Sequence, residues 1–133
     1  MPDFSELGLA PELLRAVADE GYTEPTPIQA QAIPPLLEGR DLLGIAQTGT
    51  GKTLAYLLPC LCMWEFSKDP HPQILIIVPT RELVAQVVRE VEKLTTYMNV
   101  VVGGVYGGAN MNTQAVMVLN GLDVLVGTPG RIL

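Results

Sequence analysis

Lys52 and Thr53 end a glycine-rich stretch whose residue types suit the binding of nucleotide phosphates. The stretch reads Ala46-Gln47-Thr48-Gly49-Thr50-Gly51-Lys52-Thr53. Its glycines let the backbone wrap closely around phosphate oxygens. The Lys52 ammonium adds a positive charge beside the outer phosphates, and the Thr53 hydroxyl is a suitable ligand for magnesium. These residue types predict a phosphate-binding loop over 46–53.

The flanking segments supply the elements that such a loop needs. Residues 41–46 are an apolar run of strand length, and residues 54–66 are apolar for long enough to form a helix. Backbone N–H groups at the start of that helix lack helical partners and favour an anion. The general motif has glycine where this chain has Ala46. The alternative is a Gly/Thr-rich turn beside an unrelated lysine, and the strand-loop-helix context argues against it.

Composition and charge limit the classes of function. The chain has 133 residues, 48% of them hydrophobic, which suffices for one domain, or part of one, with a buried core. Eight Lys and Arg against fourteen Asp and Glu give a net charge of −6. The chain as a whole is therefore not an electrostatic attractor for nucleic acid, so any contact with RNA or DNA must be local.

Cysteine and histidine content argues against a structural metal site. Cys60 and Cys62 lie two apart in a predicted helix, where they do not face each other, and His71 is the single histidine. Reduced core thiols in a cytosolic protein are the expected state. With no signal peptide and no apolar run of membrane-spanning length, we expect a soluble, cytoplasmic protein, or a nuclear one in a eukaryote.

Apolar spacing and turn residues predict an alternation of helices and strands. Helices are predicted over 11–20, 54–66, 81–94 and 113–119, over 28–33 with an end before Pro34-Pro35 or just past them, and from Thr128 onward. Strands are predicted over 41–46, 74–78, 100–106 and 123–126. This order indicates a three-layer α/β fold with a mainly parallel sheet.

Several separated motifs coincide with one family. Phe4, Gly21-Tyr22, Pro25-Thr26 and Ile28-Gln29 match a Q motif with its upstream aromatic residue, and residues 46–53 match a phosphate loop that begins with alanine. Three further elements follow in order: Pro79-Thr80-Arg81-Glu82-Leu83, Gly107-Gly108 and Thr128-Pro129-Gly130-Arg131. Over essentially its whole length the chain resembles the amino-terminal part of a DEAD-box ATP-dependent RNA helicase. Val84 replaces the alanine that is more usual there.

The resemblance implies a partial RecA-like domain over 1–133, with a Q-motif region at 1–37 and a phosphate-loop α/β core at 38–133. It implies ATP or ADP with Mg²⁺ as cofactors. The implied nucleotide-binding residues are Phe4, Tyr22, Thr26, Gln29, Gln47, Thr48, Gly49, Thr50, Gly51, Lys52 and Thr53, with Lys52 and Thr53 serving catalysis and Thr53 the metal. The implied RNA-binding residues are Pro79, Thr80, Arg81, Gly107, Gly108, Thr128, Pro129, Gly130 and Arg131.

Physical chemistry agrees with the implied recognition of adenine. A glutamine amide offers donors and acceptors, so Gln29 can pair with the N6/N7 edge of adenine and reject guanine. By itself Gln29 would be interpreted as an exposed helix residue, and only the surrounding motif favours recognition. Tyr22 and Phe4 can form an aromatic wall for the base, or they can pack in the core.

The implied RNA-binding elements each lie where a strand gives way to a turn or helix, which presents N–H groups, a hydroxyl or an arginine to phosphates. Such contacts read the backbone and not the base sequence. Alternatives remain open: Arg81 can pair with Glu82 or another acidic residue, Arg131 can be a surface cation, and Gly107-Gly108 can be a simple turn. The small size and the net charge of −6 predict weak RNA binding by the isolated chain.

The family pattern continues with Asp-Glu-Ala-Asp, Ser-Ala-Thr and a second RecA-like domain, none of which this chain contains. We therefore expect that the chain alone neither hydrolyses ATP nor unwinds RNA. The missing central strands also predict a rearranged fold or self-association through unpaired strand edges. The alternatives to a helicase part are an inert nucleotide-binding module, a self-associating unit with little RNA binding, or another phosphate-loop NTPase.

Overall fold

Helices make up the first half of the chain, and a parallel sheet with its helices makes up the second. The computed structural model describes residues 3–45, 51–65, 71–106 and 121–132. It divides into two compact units, Met1–Trp64 and Glu65–Leu133. Three predicted features lie outside the described residues: residues 46–50 of the phosphate-binding loop, the pair Gly107-Gly108, and the helix over 113–119.

The first unit consists of helices around an aliphatic core. A short 3-10 helix at Phe4–Glu6 precedes α1 (Pro11–Asp19), α2 (Pro27–Leu37) and α3 (Lys52–Cys62). Helix α3 packs against both α2 and α1. The large aliphatic side chains that become fully buried in this unit include Leu13, Val17, Ile33, Leu57, Leu58 and Leu61. These contacts hold the beginning of α3 beside the beginning of α2.

Helix α2 continues past the proline pair that the sequence left open as its end. Pro34 and Pro35 lie inside the helix, which ends at Leu37. A proline in a helix removes one hydrogen bond and crowds the preceding turn. Here the helix persists because its first turn is closed by side-chain caps and because Ile33 is completely buried.

The strand predicted over 41–46 is not formed by the described residues 41–45, so this prediction is wrong for them. The segment has no strand assignment, and Leu43 and Ile45 are 88% and 89% exposed. A strand requires a hydrogen-bonded neighbour, and an apolar sequence cannot supply one by itself. The segment therefore leaves apolar side chains open to solvent.

The second unit confirms the predicted α/β class. Its elements are β1 (Ile74–Ile77), α4 (Arg81–Leu94), β2 (Val102–Val105), β3 (Val124–Gly127) and α5 (Pro129–Ile132). Within the described residues the strands are parallel in the order β1-β3-β2. Ile77 and Val105 both lie opposite Gly127 in the register. The carboxyl ends of all these strands consequently meet at one edge of the sheet.

Helix α4 lies unusually close to β2 because Gly104 has no side chain. A Cβ atom at Gly104 would lie 2.7 Å from Val84 Cγ1 and 3.2 Å from Val88 Cγ2. Val84 is fully buried. A strand glycine often marks a place where another element must approach closely, and this one lets the helix seat Val84 directly on the strand. The pair fixes the separation between α4 and β2.

Candidate functional site

The start of α2 is closed by a reciprocal pair of hydrogen bonds between Thr26 and Gln29. The Gln29 N–H donates to Thr26 Oγ1 at 3.4 Å, and the Thr26 N–H donates to Gln29 Oε1 at 2.9 Å. This capping box satisfies backbone donors that a helix start leaves without partners. It also fixes the Gln29 side chain, which is only 3% exposed.

The same glutamine side chain binds the end of the predicted phosphate loop. Gln29 Nε2 donates to the Gly51 carbonyl oxygen at 3.1 Å. Gly51 is the N-cap of α3, with a left-handed backbone at φ +84°. A Cβ atom there would overlap Gln29 Nε2 and lie 2.9 Å from Thr26 Oγ1. Glycine at this position thus allows the Q-motif turn and the loop to touch.

The Gln29 amide keeps half of its hydrogen-bonding capacity after these contacts. A primary amide has two N–H donors and two acceptor lone pairs. Thr26 uses one lone pair and Gly51 uses one N–H. One donor and one acceptor remain, which is the combination that the N7 and N6 groups of adenine require. The two internal bonds therefore leave one donor and one acceptor of the amide unused, on a residue that is only 3% exposed.

Lys52 and Thr53 form the first turn of α3, directly after Gly51. The N-cap Gly51 has no side chain that could cap this helix, and among the described residues no side chain does so. Helix starts of this kind favour an anion. Lys52 is exposed and Thr53 is half-buried. Burial raises the pKa of Tyr56 above its usual 10.0, while a hydrogen bond with Thr53 lowers it in part. Tyr56 thus remains protonated at neutral pH beside the threonine.

Thr53 offers a hydroxyl oxygen in the first turn of α3, which is the chemistry that a magnesium ligand requires. Among the described residues, no group of three or more His, Cys, Asp or Glu side chains could hold a metal. Mg²⁺ prefers hard oxygen ligands and keeps several waters, with few protein ligands besides substrate phosphates. Thr53 Oγ1 would be such a ligand.

The two aromatic residues that are predicted to flank the base differ in their exposure. Phe4 is 5% exposed and belongs to the core of the first unit, whereas Tyr22 is 41% exposed. This placement favours the core-packing alternative for Phe4. Tyr22 retains enough free surface to contact a ligand.

In the second unit, two of the three predicted RNA-binding elements lie at the carboxyl edge of the sheet. The Val78 N–H donates to the Gly127 carbonyl at 3.0 Å, and the Thr128 N–H donates to the Val105 carbonyl at 3.2 Å. Pro79-Thr80-Arg81 follows β1, and Thr128-Pro129-Gly130-Arg131 follows β3. Parallel pairing therefore brings residues separated by almost fifty positions to one edge of the sheet.

Thr80 and Arg81 begin α4 at this edge. Thr80 Oγ1 accepts a hydrogen bond from the Leu83 N–H at 3.2 Å and caps the helix. Arg81 Nε lies 3.9 Å from Glu82 Oε1, so the predicted pairing alternative is present, although both side chains are largely exposed. An exposed pair of this length contributes little to stability and can exchange for another anion.

Tyr106 is a residue at this edge that the sequence did not single out. It directly follows β2, and its ring lies below the Arg81 guanidinium, with Cζ 6.0 Å from the ring centroid. The sequence signal that could have identified Tyr106 is an aromatic residue at the end of a predicted strand, immediately before Gly107-Gly108. Gly107 and Gly108 lie outside the described residues, as does the Arg131 side chain.

Comparison with known proteins identifies the family. The family model for the DEAD/DEAH box helicase matches residues 26–133. The chain is 46% identical to the ATP-dependent RNA helicase DeaD of Klebsiella pneumoniae over 98% of its length, and 48% identical to the ATP-dependent RNA helicase CshA of Limosilactobacillus reuteri over 97%. The chain belongs to the DEAD/DEAH box helicase family.

A solved relative confirms the RecA-like α/β fold class. The RNA helicase Prp28 from Chaetomium thermophilum, solved with bound ADP, is 45% identical with a TM-score of 0.89 over 99% of this chain. The match covers 33% of the Prp28 chain, 20% of DeaD and 26% of CshA. The chain thus spans a third or less of these relatives. Across its described parts, no helix is long and apolar enough to cross a membrane.

Proposed function

We propose that this chain forms the adenine-nucleotide half-site and part of the RNA-binding surface of an ATP-dependent RNA helicase. The observation that carries the proposal is the buried Gln29 side chain, which joins the Thr26 turn to Gly51. A base-reading glutamine fixed to the end of the phosphate loop places adenine and phosphate recognition on one rigid support.

Each end of the nucleotide has its own group of residues in this proposal. The remaining donor and acceptor of Gln29 bind the adenine edge, with Tyr22 packing against the base. Gln47 to Thr53 bind the phosphates, Lys52 offsets their charge, and Thr53 holds magnesium. Thr53 would hold the ion, which would supply positive charge against that of the phosphates. The ADP bound to Prp28 supports this assignment.

Contact with RNA is proposed for the carboxyl edge of the sheet. The N-terminal turns of α4 and α5 begin there, and helix starts favour phosphate oxygens. Contacts of this kind bind RNA without reading its sequence. The net charge of −6 keeps the affinity of the isolated chain low. A second RecA-like domain, which would help to close on ATP and RNA, is the proposed partner for hydrolysis and unwinding.

A second candidate is a self-associating module with little RNA binding. Its support is the exposed apolar surface at Leu43 and Ile45 in the first unit, and at Leu75 and Ile77 in the second. Large exposed aliphatic side chains in strand-like segments favour association with another chain. Failure to bind nucleotide, combined with oligomer formation, would favour this candidate.

Calorimetric titration with magnesium-ADP and magnesium-GDP tests the nucleotide proposal. We expect the 133-residue protein to bind ADP about tenfold or more tightly than GDP, because guanine presents the wrong groups to Gln29. Gln29→Ala should abolish this preference and lower the unfolding free energy by about 1–2 kcal/mol through loss of the cap.

Gln31→Ala is the matched control, because Gln31 is an exposed glutamine on the same helix. It should leave both the affinity and the stability close to those of the unmodified protein. Equal affinities for ADP and GDP, or an unchanged preference in a folded Gln29→Ala variant, would contradict the proposal.

A further inference from the structure

Tyr106, which belongs to none of the sequence motifs, contacts Arg81, which belongs to one. Arg81 is the first residue of α4, and its side chain is 63% exposed. Tyr106 is half-buried at the end of β2, so its ring is the better-anchored partner. A separation of 6.0 Å between Cζ and the ring centroid is at the outer range over which a cation is attracted to an aromatic face.

The packing of α4 on β2 places these two residues together. Val84 sits on Gly104, where a Cβ would come within 2.7 Å of Val84 Cγ1. Arg81 precedes Val84 by three residues, so the two lie on the same face of α4. Tyr106 follows Gly104 by two residues, so the two lie on the same face of the strand. The close approach of helix and strand therefore brings the guanidinium over the ring.

When the Arg81 guanidinium lies on the Tyr106 ring, the edge that carries its N–H groups stays free to bind a phosphate. An arginine that lies on an aromatic face still directs its N–H groups outward in the guanidinium plane, where they can bind phosphate in a bidentate manner. The competing partner is Glu82, at 3.9 Å from Arg81 Nε. Arg81 makes both contacts at once, and the long, exposed pair with Glu82 can exchange for another anion. The ring below the guanidinium limits the freedom of the Arg81 side chain and lowers the entropy lost when a phosphate binds.

We propose that Tyr106 is a positioning residue that holds Arg81 in the orientation that binds an RNA phosphodiester. This inference rests on the proposed function, since it assumes that Arg81 contacts the RNA backbone. It adds an aromatic support that reads no base and touches no nucleotide, and it links the segment after β1 to the segment after β2.

The test is fluorescence anisotropy of a labelled oligouridine with the 133-residue protein at low salt. Tyr106→Leu should weaken binding about twofold to fivefold, the scale of an exposed cation–π contact. Tyr106→Phe, which keeps the ring, should bind like the unmodified protein. Tyr97→Leu is the matched control, since Tyr97 is a half-buried tyrosine beyond the other end of α4, and it should leave binding unchanged.

Combination with Arg81→Ala separates positioning from general structural damage. If Tyr106 acts through Arg81, then Tyr106→Leu has no further effect on RNA binding in the Arg81→Ala background. An equal loss in both backgrounds, or a Tyr106→Phe variant as weak as Tyr106→Leu, overturns the inference. Should Tyr106→Leu fail to fold, a nuclear Overhauser contact between the Tyr106 ring and the Arg81 side chain in the unmodified protein decides: its absence overturns the inference and its presence supports it.

The outcomes also distinguish the two proposals. If Arg81→Ala binds RNA like the unmodified protein, or if neither binds, the proposed RNA contact of Arg81 fails and the inference fails with it. If Arg81→Ala weakens binding but Tyr106→Leu does not, the proposed function stands and only the role of Tyr106 is overturned.

Discussion

Gly51 is the residue at which the contact between the Thr26 turn and the start of α3 depends most directly on the absence of a side chain. Its carbonyl accepts both the Gln29 side-chain bond at 3.1 Å and the Ala55 N–H bond of α3 at 3.3 Å. Its backbone is left-handed, and its Cα faces Gln29 and Thr26. Conformation and contact therefore both require glycine here.

The loss of stability on substituting Gly51 has two separate causes, the left-handed backbone and the overlap with Gln29. Gly51→Ala should lower the unfolding free energy by about 1–2 kcal/mol for the left-handed backbone and by a further amount of about 1–3 kcal/mol for the overlap with Gln29. Gly39→Ala is the matched control, because Gly39 also has φ +84° but a Cβ atom there would meet nothing within 4 Å. Urea denaturation measures both, and equal losses would show that the Gln29 contact carries no weight.

At the residue scale, the sequence does not predict how the Gln29 side chain is divided among its partners within the fold. It predicts adenine as the partner of Gln29 but not the bonds to Thr26 and Gly51, since the second bond joins positions 22 residues apart. Phe4 and Tyr22 cannot be told apart by type, because burial depends on what surrounds them. Their unequal exposure is a tertiary property.

At the scale of elements, α4 and β2 are held by a size match between Val84 and Gly104. Gly104→Ala should destabilise the second unit, because its methyl group would overlap Val84 Cγ1. Val84→Ala alone should cost about 1–3 kcal/mol through the cavity that it leaves. In the double variant the smaller residue makes room for the new methyl group, so we expect a loss about 1 kcal/mol or more below the sum.

Chemical denaturation of the unmodified protein, the two single variants and the double variant measures the coupling between Val84 and Gly104. Val91→Ala combined with Gly104→Ala is the matched control, since Val91 is also fully buried on α4 but is not among the atoms nearest to Gly104. That pair should be additive within about 0.5 kcal/mol. Additivity in the Val84 pair as well would disprove the size match.

Sequence periodicity predicts elements well where one face of an element is buried by its own neighbours. The bounds of α4, Arg81–Leu94, are those predicted, because its apolar spacing and the Thr80 cap are local signals. The strand over 41–45 did not form, because its hydrogen bonds depend on residues elsewhere. Strands β1 and β2 are shorter than predicted, although backbone hydrogen bonds continue at Val78 and Val101 beside them.

At the scale of the whole molecule, net charge and exposed apolar surface act in opposite directions. A charge of −6 repels like chains, whereas Leu43 and Ile45, at 88% and 89% exposure, favour association. We expect sedimentation velocity to show an oligomer fraction that rises with salt, because salt screens the repulsion and leaves the apolar contact intact.

Ile45→Lys should shift this equilibrium toward monomer, and Gln31→Lys, which adds the same charge at an exposed site, should not. A protein that is monomeric at every salt concentration, or two variants that behave alike, would refute self-association through this segment.

The buried amide of Gln29 also bears on which residues would persist if the proposed nucleotide binding were lost in evolution. Because this side chain closes the first turn of α2 and secures the start of α3, selection for a stable fold alone suffices to retain it. If the proposed function holds, a descendant that no longer bound nucleotide would still keep this glutamine. Lys52 is exposed and shows no comparable packing among the described residues, so it would be lost earlier.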